Sequence, residues 1–151
     1  MPKRRYYLSI GSNLGDRDAN LKGIIDRLAS SGSVEVVDAS SFRETDPVGV
    51  DVKYADMKFL NAAVCIETDL DPYGLLDLTQ GIEKSLGRIR PAPVNSPRTA
   101  DIDIIASNDG IAVFDPPRLV IPHPRAAERE FVMQPLREIA PEIAEAIAND
   151  R

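Results

Sequence analysis

Two aspartates two residues apart, in Pro97-Arg98-Thr99-Ala100-Asp101-Ile102-Asp103-Ile104-Ile105, form the segment best suited to chemistry. Residues i and i+2 of a strand point to one face. Asp101 and Asp103 therefore project together, while Ile102 and Ile104 project to the other side. Carboxylates this close raise each other's pKa unless a cation lies between them. Magnesium suits the pair, because it takes one or two carboxylates and fills its shell with water and phosphate oxygens. For the pair taken alone, a solvated strand face is an equally good reading.

Arginines shift that balance. Arg88, Arg90 and Arg98 lie in or beside a proline-rich segment just before the aspartates, and Arg118, Arg125 and Arg129 surround the single histidine, His123. Guanidinium groups fork onto phosphate oxygens and keep their charge in any site. Carboxylates able to hold a metal, set beside several arginines, are what phosphoryl transfer needs. Any one of these arginines taken singly reads as ordinary surface.

Other segments are less specific. Gly11-Ser12-Asn13-Leu14-Gly15-Asp16 lacks the Gly-Lys-Ser/Thr ending of a phosphate loop and reads as a strand-to-helix turn. Phe59 and Asn61 share one strand face with Ala63 and Cys65. They can stack on and hydrogen-bond a flat heterocycle, or simply pack in the core. His123, between two prolines, is a phosphate donor or a loop anchor, and Cys65 reads as core.

These residues need a frame to hold them. Tyr6–Ile10 reads as a first strand. Leu21, Ile24, Ile25 and Leu28 recur at helical spacing and predict a helix over 17–30. Val34–Phe42 is a second strand and Phe59–Glu67 a third. Asp71-Pro72 starts a second helix that Gly87 ends. Thr99–Ile105 is the fourth strand, and two short helices follow near 135–139 and 142–148. The order β-α-β-β-α-β predicts an α+β, ferredoxin-like domain spanning 1–151: an antiparallel sheet with helices on one face and a helical C-terminal tail. Residues 43–58 and 88–97 read as long loops. Loops of that length are often functional, and a lid that closes over substrate is expected of them.

The chain has 151 residues, a net charge of −6 and one cysteine. The acidic balance argues against a nucleic-acid partner. The sequence has no apolar run long enough to span a membrane, and the lone cysteine makes a cytoplasmic address the default. Nothing demands more than a monomer.

Taken in order, Gly11-Ser12-Asn13-Leu14-Gly15-Asp16, Phe59-Leu60-Asn61-Ala62-Ala63-Val64, Gly87-Arg88-x-Arg90, Pro97-Arg98-x-x-Asp101-Ile102-Asp103, Pro122-His123-Pro124 and Arg129-x-Phe131-Val132-x-x-Pro135-Leu136 resemble the 6-hydroxymethyl-7,8-dihydropterin pyrophosphokinase family. The resemblance implies transfer of diphosphate from ATP to the hydroxymethyl group of the pterin, with release of AMP, in folate biosynthesis. It implies that Asp101 and Asp103 hold two magnesium ions and that Arg88 and Arg98 contact the phosphates. His123 and Arg129 would bind ATP phosphates, with Glu83, Arg90, Ile104 and Arg118 around the nucleotide. Phe59 and Phe131 would sandwich the pterin, Asn61 would bond its edge, and Gly11, Thr45 and Val48 would line its pocket. Pro91, Asn95, Ser96 and Pro124 depart from patterns common in the family. A binding homologue with reduced turnover is the alternative these departures allow. An RNA-binding domain on the same fold would need a basic, aromatic sheet face, which this acidic chain does not offer.

Overall fold

Local signals start the helices where the sequence places them. In the computed structural model, which describes residues 3–46, 57–88 and 97–149, Asp16 caps the first helix, accepting the Ala19 N–H at 3.1 Å. Asp71 caps the second, accepting from Gly74 at 2.7 Å with Pro72 at the first helical position. Gly87 takes φ +92° just past its end, a conformation that costs glycine little.

The elements run β1 (Arg4–Ser12), α1 (Arg17–Ser30), β2 (Glu35–Ala39), β3 (Arg43–Thr45), β4 (Phe59–Thr68), α2 (Pro72–Ser85), β5 (Asp101–Ser107), β6 (Val113–Asp115), β7 (Leu119–Ile121), α3 (Glu130–Ile139) and α4 (Pro141–Asn149). The main sheet is antiparallel in the order β2-β4-β1-β5, and β3 also pairs with β4. This is the ferredoxin-like α+β arrangement the sequence predicts. β1 is its spine: Gly11 pairs with Asn61 on one side and Asp101 on the other, and Ser9 with Ala63 and Asp103.

Period-2 alternation splits the sheet into two faces. Tyr6, Leu8, Ile10, Val64, Ile66, Ile102 and Ile104 pack against Leu21, Ile24 and Leu28 of α1 and Leu75 and Ile82 of α2. On the opposite face Tyr7, Ala63, Cys65, Ile105 and Ala106 pack against Val132, Met133 and Leu136 of α3 and Ala144 of α4. The helices therefore cover both faces, not one as expected. The second face is apolar only over half its length, and the tail helices cover that half. The other half carries Ser9, Gly11, Phe59, Asn61, Asp101 and Asp103 and borders a cavity.

Three other expectations change. The segment read as a loop from Arg43 begins with β3, too short to show a period. The short β6–β7 hairpin was not foreseen. The helix placed near 135–139 begins at Glu130 and runs through Pro135, because Val132, Met133 and Leu136 bury a stripe that outweighs the lost backbone hydrogen bond.

Candidate active site

The carboxylate pair sits where β5 leaves the centre of the sheet. Asp101 and Asp103 lie level with Gly11 and Ser9, whose lack of bulk leaves the space above them open. A β-bulge follows: Tyr7 pairs with Ala106 but Leu8 with Ile104, so Ile105 is the extra residue. The Ile105 carbonyl accepts the His123 N–H at 2.8 Å. The bulge thus ties the histidine segment to the carboxylate strand. Burial, then Asp101 and Glu83, push the Asp103 carboxyl up to about 8, against Arg129 and Arg88, which pull it down. That is the signature of a negative site short of positive charge.

Two arginines supply part of that charge through Asp101. Arg88 Nη1 lies 2.9 Å from Asp101 Oδ1 and 2.7 Å from Glu83 Oε2, and Arg98 Nη1 lies 3.6 Å from Asp101 Oδ1. Glu83, only 2% exposed, also accepts the Ile102 N–H at 2.8 Å. It closes the outer edge of β5 and aims Arg88 across the strand. Glu83 therefore braces the site from beneath and does not line the cavity. The carboxylate partners of Arg88 come from α2 and β5.

Asn13 explains the glycine-flanked turn. Its Oδ1 accepts the Arg98 N–H at 2.8 Å, its own N–H donates to the Arg98 carbonyl at 3.1 Å, and its Nδ2 reaches the Met57 carbonyl at 3.5 Å. The turn anchors Arg98 and the start of β4.

The cavity is bordered by Phe59, Asn61, Gly11, Thr45, Phe131, Arg98, Arg129 and the two aspartates. Ser9, Asp46 and Arg125 join them. Ser9 could have been read from its spacing to Gly11. Arg125 was noted only as a neighbour of His123. Asn61 Nδ2 donates to Thr45 Oγ1 at 2.5 Å, fixing the amide orientation and leaving its second N–H and its Oδ1 for a ligand edge. The enclosed space, about 110 Å³, is well below the roughly 300–1,000 Å³ of a drug-sized site. A ligand larger than this extends beyond the enclosed part.

His123 sits beside the lining. Burial first, then Arg129, hold its imidazole below the usual range. Its Nδ1 accepts the Arg125 N–H at 3.3 Å, so the neutral ring carries its proton on Nε2, free to donate. Arg129 lies over the Phe131 ring, 5.5 Å from its centroid. Arg118 stands apart, 4.7 Å over the Tyr73 ring and 3.8 Å from Asp77, and does not line the cavity. Ile104 turns its side chain into the α1–α2 core. Val48, Arg90, Pro91, Asn95 and Ser96 lie outside the described residues.

Among the described residues no three metal-ligating side chains converge. The pair Asp101 and Asp103, both half-buried on one strand face, fits a hard cation whose remaining ligands come from phosphate and water. Arginines at one end, carboxylates in the middle and an amide with an aromatic at the other suit a polyphosphate transferred to a bound heterocycle.

Known proteins agree. The family described as 7,8-dihydro-6-hydroxymethylpterin-pyrophosphokinase (HPPK) matches residues 7–141. The chain is 45% identical over 138 residues to the 2-amino-4-hydroxy-6-hydroxymethyldihydropteridine pyrophosphokinase of Bacillus subtilis (strain 168), covering 91% of this chain and 78% of that one. It is likewise 45% identical over 140 residues to the enzyme of the same name from Methylorubrum extorquens, covering 92% and 84%. The HPPK-DHPS chain of Plasmodium falciparum, solved with pteroate, superposes with a TM-score of 0.66 at 15% identity, over 91% of this chain and 39% of that one. That likeness speaks to the fold alone, since the present chain spans about two fifths of the longer protein. By sequence over most of its length and by fold, the chain belongs to the 7,8-dihydro-6-hydroxymethylpterin-pyrophosphokinase family.

Proposed function

We propose that this chain is an ATP-dependent diphosphotransferase working through the residues around its cavity. It moves the β,γ-diphosphate of ATP to the hydroxymethyl group of 6-hydroxymethyl-7,8-dihydropterin, in folate biosynthesis. The hydroxymethyl oxygen attacks the β-phosphorus and loses its proton, the bond from that phosphorus to the oxygen it shares with the α-phosphate breaks, and AMP leaves.

One observation carries the reading. Across three neighbouring strands a single row holds Asn61, Gly11 and Asp101, so a ring-binding group and a metal-binding carboxylate face one space with no side chain between them. A ring placed between Phe59 and Phe131, with its edge on Asn61, points its substituent over Gly11 toward Asp101 and Asp103. Two magnesium ions held by those carboxylates would neutralise the phosphates and orient the β-phosphorus. Arg88 and Arg98, now on Asp101, stand close enough to exchange that carboxylate for phosphate oxygens as charge develops. Neutral His123 and Arg129 complete the donors on the nucleotide side. The buried, unpaired Cys65 supports a cytoplasmic protein, and the net charge of −6 argues against nucleic acid as its partner. No helix among the described residues is long and apolar enough to cross a membrane.

Phosphorus NMR of the reaction mixture tests this. AMP and a pterin diphosphate should appear together, and only when the pterin is present. ADP with a pterin monophosphate, or AMP without pterin, would overturn it. No observation favours a binding homologue without turnover.

A further inference from the structure

The ring cavity has walls on two elements that the sheet itself does not join. One wall is β3 with the start of β4, carrying Thr45, Asn61 and Phe59. The other is the first turn of α3, carrying Phe131. β3 has three residues and, among the described residues, pairs with β4 alone, an arrangement weak on its own. Packing of α3 on Ala63 and Cys65 holds the helix against β4, and a direct tie between α3 and the entry to β3 completes the frame.

Glu138 occupies that position. Its carboxylate accepts the Ser41 N–H at 2.5 Å, the Ser41 hydroxyl at 2.7 Å and Arg43 Nη2 at 3.1 Å. All three donors lie in the short run that enters β3. Glu138 follows Phe131 by about two helical turns, so both stand on the same face of α3. Helix energetics do not explain a carboxylate here: it sits in the last turn, where the helix dipole disfavours negative charge. Its gain comes from the three donors. The chain of contacts continues from Arg43 to Thr45 along the strand, and from Thr45 Oγ1 to the Asn61 amide. Both serine donors also hold the Glu138 carboxyl below its ordinary range, so the clamp stays ionised at neutral pH.

We propose that Glu138 is a positioning residue that sets the spacing between the aromatic wall on α3 and the amide wall on β3 and β4, acting on recognition of the heterocycle and not on phosphate chemistry. The proposal rests on reading this cavity as the pterin site.

Steady-state kinetics with each substrate varied, on Glu138→Ala, Glu138→Gln, Ser41→Ala and Asn61→Ala, test it. The clamp is exposed and water can take the freed donors, so Glu138→Ala should raise the pterin KM about fivefold, the worth of about one net hydrogen bond, with kcat and the ATP KM within about twofold of the parent. Glu138→Gln keeps an acceptor for Ser41 and should restore most of the loss. Ser41→Ala, milder and expected to fold, should shift the pterin KM in the same direction by a few-fold. A lowered melting temperature in Glu138→Ala with an unchanged pterin KM would reduce the clamp to a structural brace and overturn the proposal. So would equal rises in both KM values. If Asn61→Ala leaves the pterin KM unchanged, the cavity reading itself fails and takes the clamp with it. If Asn61→Ala raises it and neither Glu138 variant does, only the clamp fails.

Discussion

Gly11→Ala is a sharp probe of the cavity because its effect is directional. Gly11 does not have positive φ, so alanine meets no backbone penalty there. The added Cβ would lie 2.9 Å from Asn61 Oδ1, 3.5 Å from Phe59 Cδ1 and 3.6 Å from the Leu60 carbonyl. All three atoms belong to β4, the ring-binding side; nothing on β5 comes as near. The first distance is too short, so the Asn61 amide must turn, and its bond to Thr45 Oγ1 weakens with it. Overpacking of this kind costs about 1–3 kcal/mol. Turning the amide also removes its hydrogen bonds to the ring; losing one or two of these is about a 5- to 150-fold loss of affinity for whatever uses the Asn61 amide. Calorimetry should show the loss for the pterin, titrated with α,β-methylene ATP present, and little change for the ATP analogue and magnesium. Unchanged pterin affinity, or an equal loss for both ligands, would refute the assignment of Asn61 and Gly11 to the ring.

Further variants probe the rest of the site. Asp101→Ala and Asp103→Ala should each abolish transfer while the far-ultraviolet circular dichroism stays that of the parent; near-normal turnover at saturating magnesium would remove them from the metal centre. Phe131→Ala should weaken pterin binding by about 1–3 kcal/mol, by analogy with base–aromatic stacking, and spare the ATP analogue, as calorimetry will show. Glu83→Ala strands the buried Ile102 N–H and takes from Arg88 one of its two carboxylates, and should cost about 1–3 kcal/mol in urea unfolding. The folded Asp103 carboxyl titrates near 8, far above an unfolded aspartate, so this group's contribution to stability is full below about pH 4 and is lost as pH rises toward 8. Asp103→Asn should therefore melt above the magnesium-free parent at pH 8, with the gap closing toward pH 5; a gap that widens on acidification would reverse the sign.

The chemical centre was legible because it depends on a short-range rule. Alternation along one strand placed Asp101 with Asp103, and along another Phe59 with Asn61, before any packing was known. The bounds of α1 followed equally from Asp16 and the spacing of Leu21, Ile24 and Leu28. The supports were not legible. The local pattern of α2 gives no sign that Glu83 is buried. Its burial appears only when α2 packs beside the edge of β5 and brings Ile102 and Arg88 to it. Glu138 and Ser41 are 97 positions apart, a contact that no local pattern announces. The covering of the second sheet face by α3 and α4 was hidden for the same reason: the tail reads as helical, but which surface it finds depends on Tyr7, Cys65 and Ile105 meeting Met133 and Leu136 in three dimensions. Arg118 and Ile104 carry family expectations that the geometry leaves at a distance from the cavity, one stacked on Tyr73 and the other in the core.

The central claim is that one surface holds both substrates, with the ring at Asn61 and the phosphates at Asp101 and Asp103. A crystal structure with manganese, α,β-methylene ATP and 6-hydroxymethylpterin tests it most directly. Anomalous density should lie on both aspartates, with the pterin between Phe59 and Phe131 and its hydroxymethyl oxygen facing the β-phosphorus. Metal bound away from this pair, or a pterin seated elsewhere, would contradict the account.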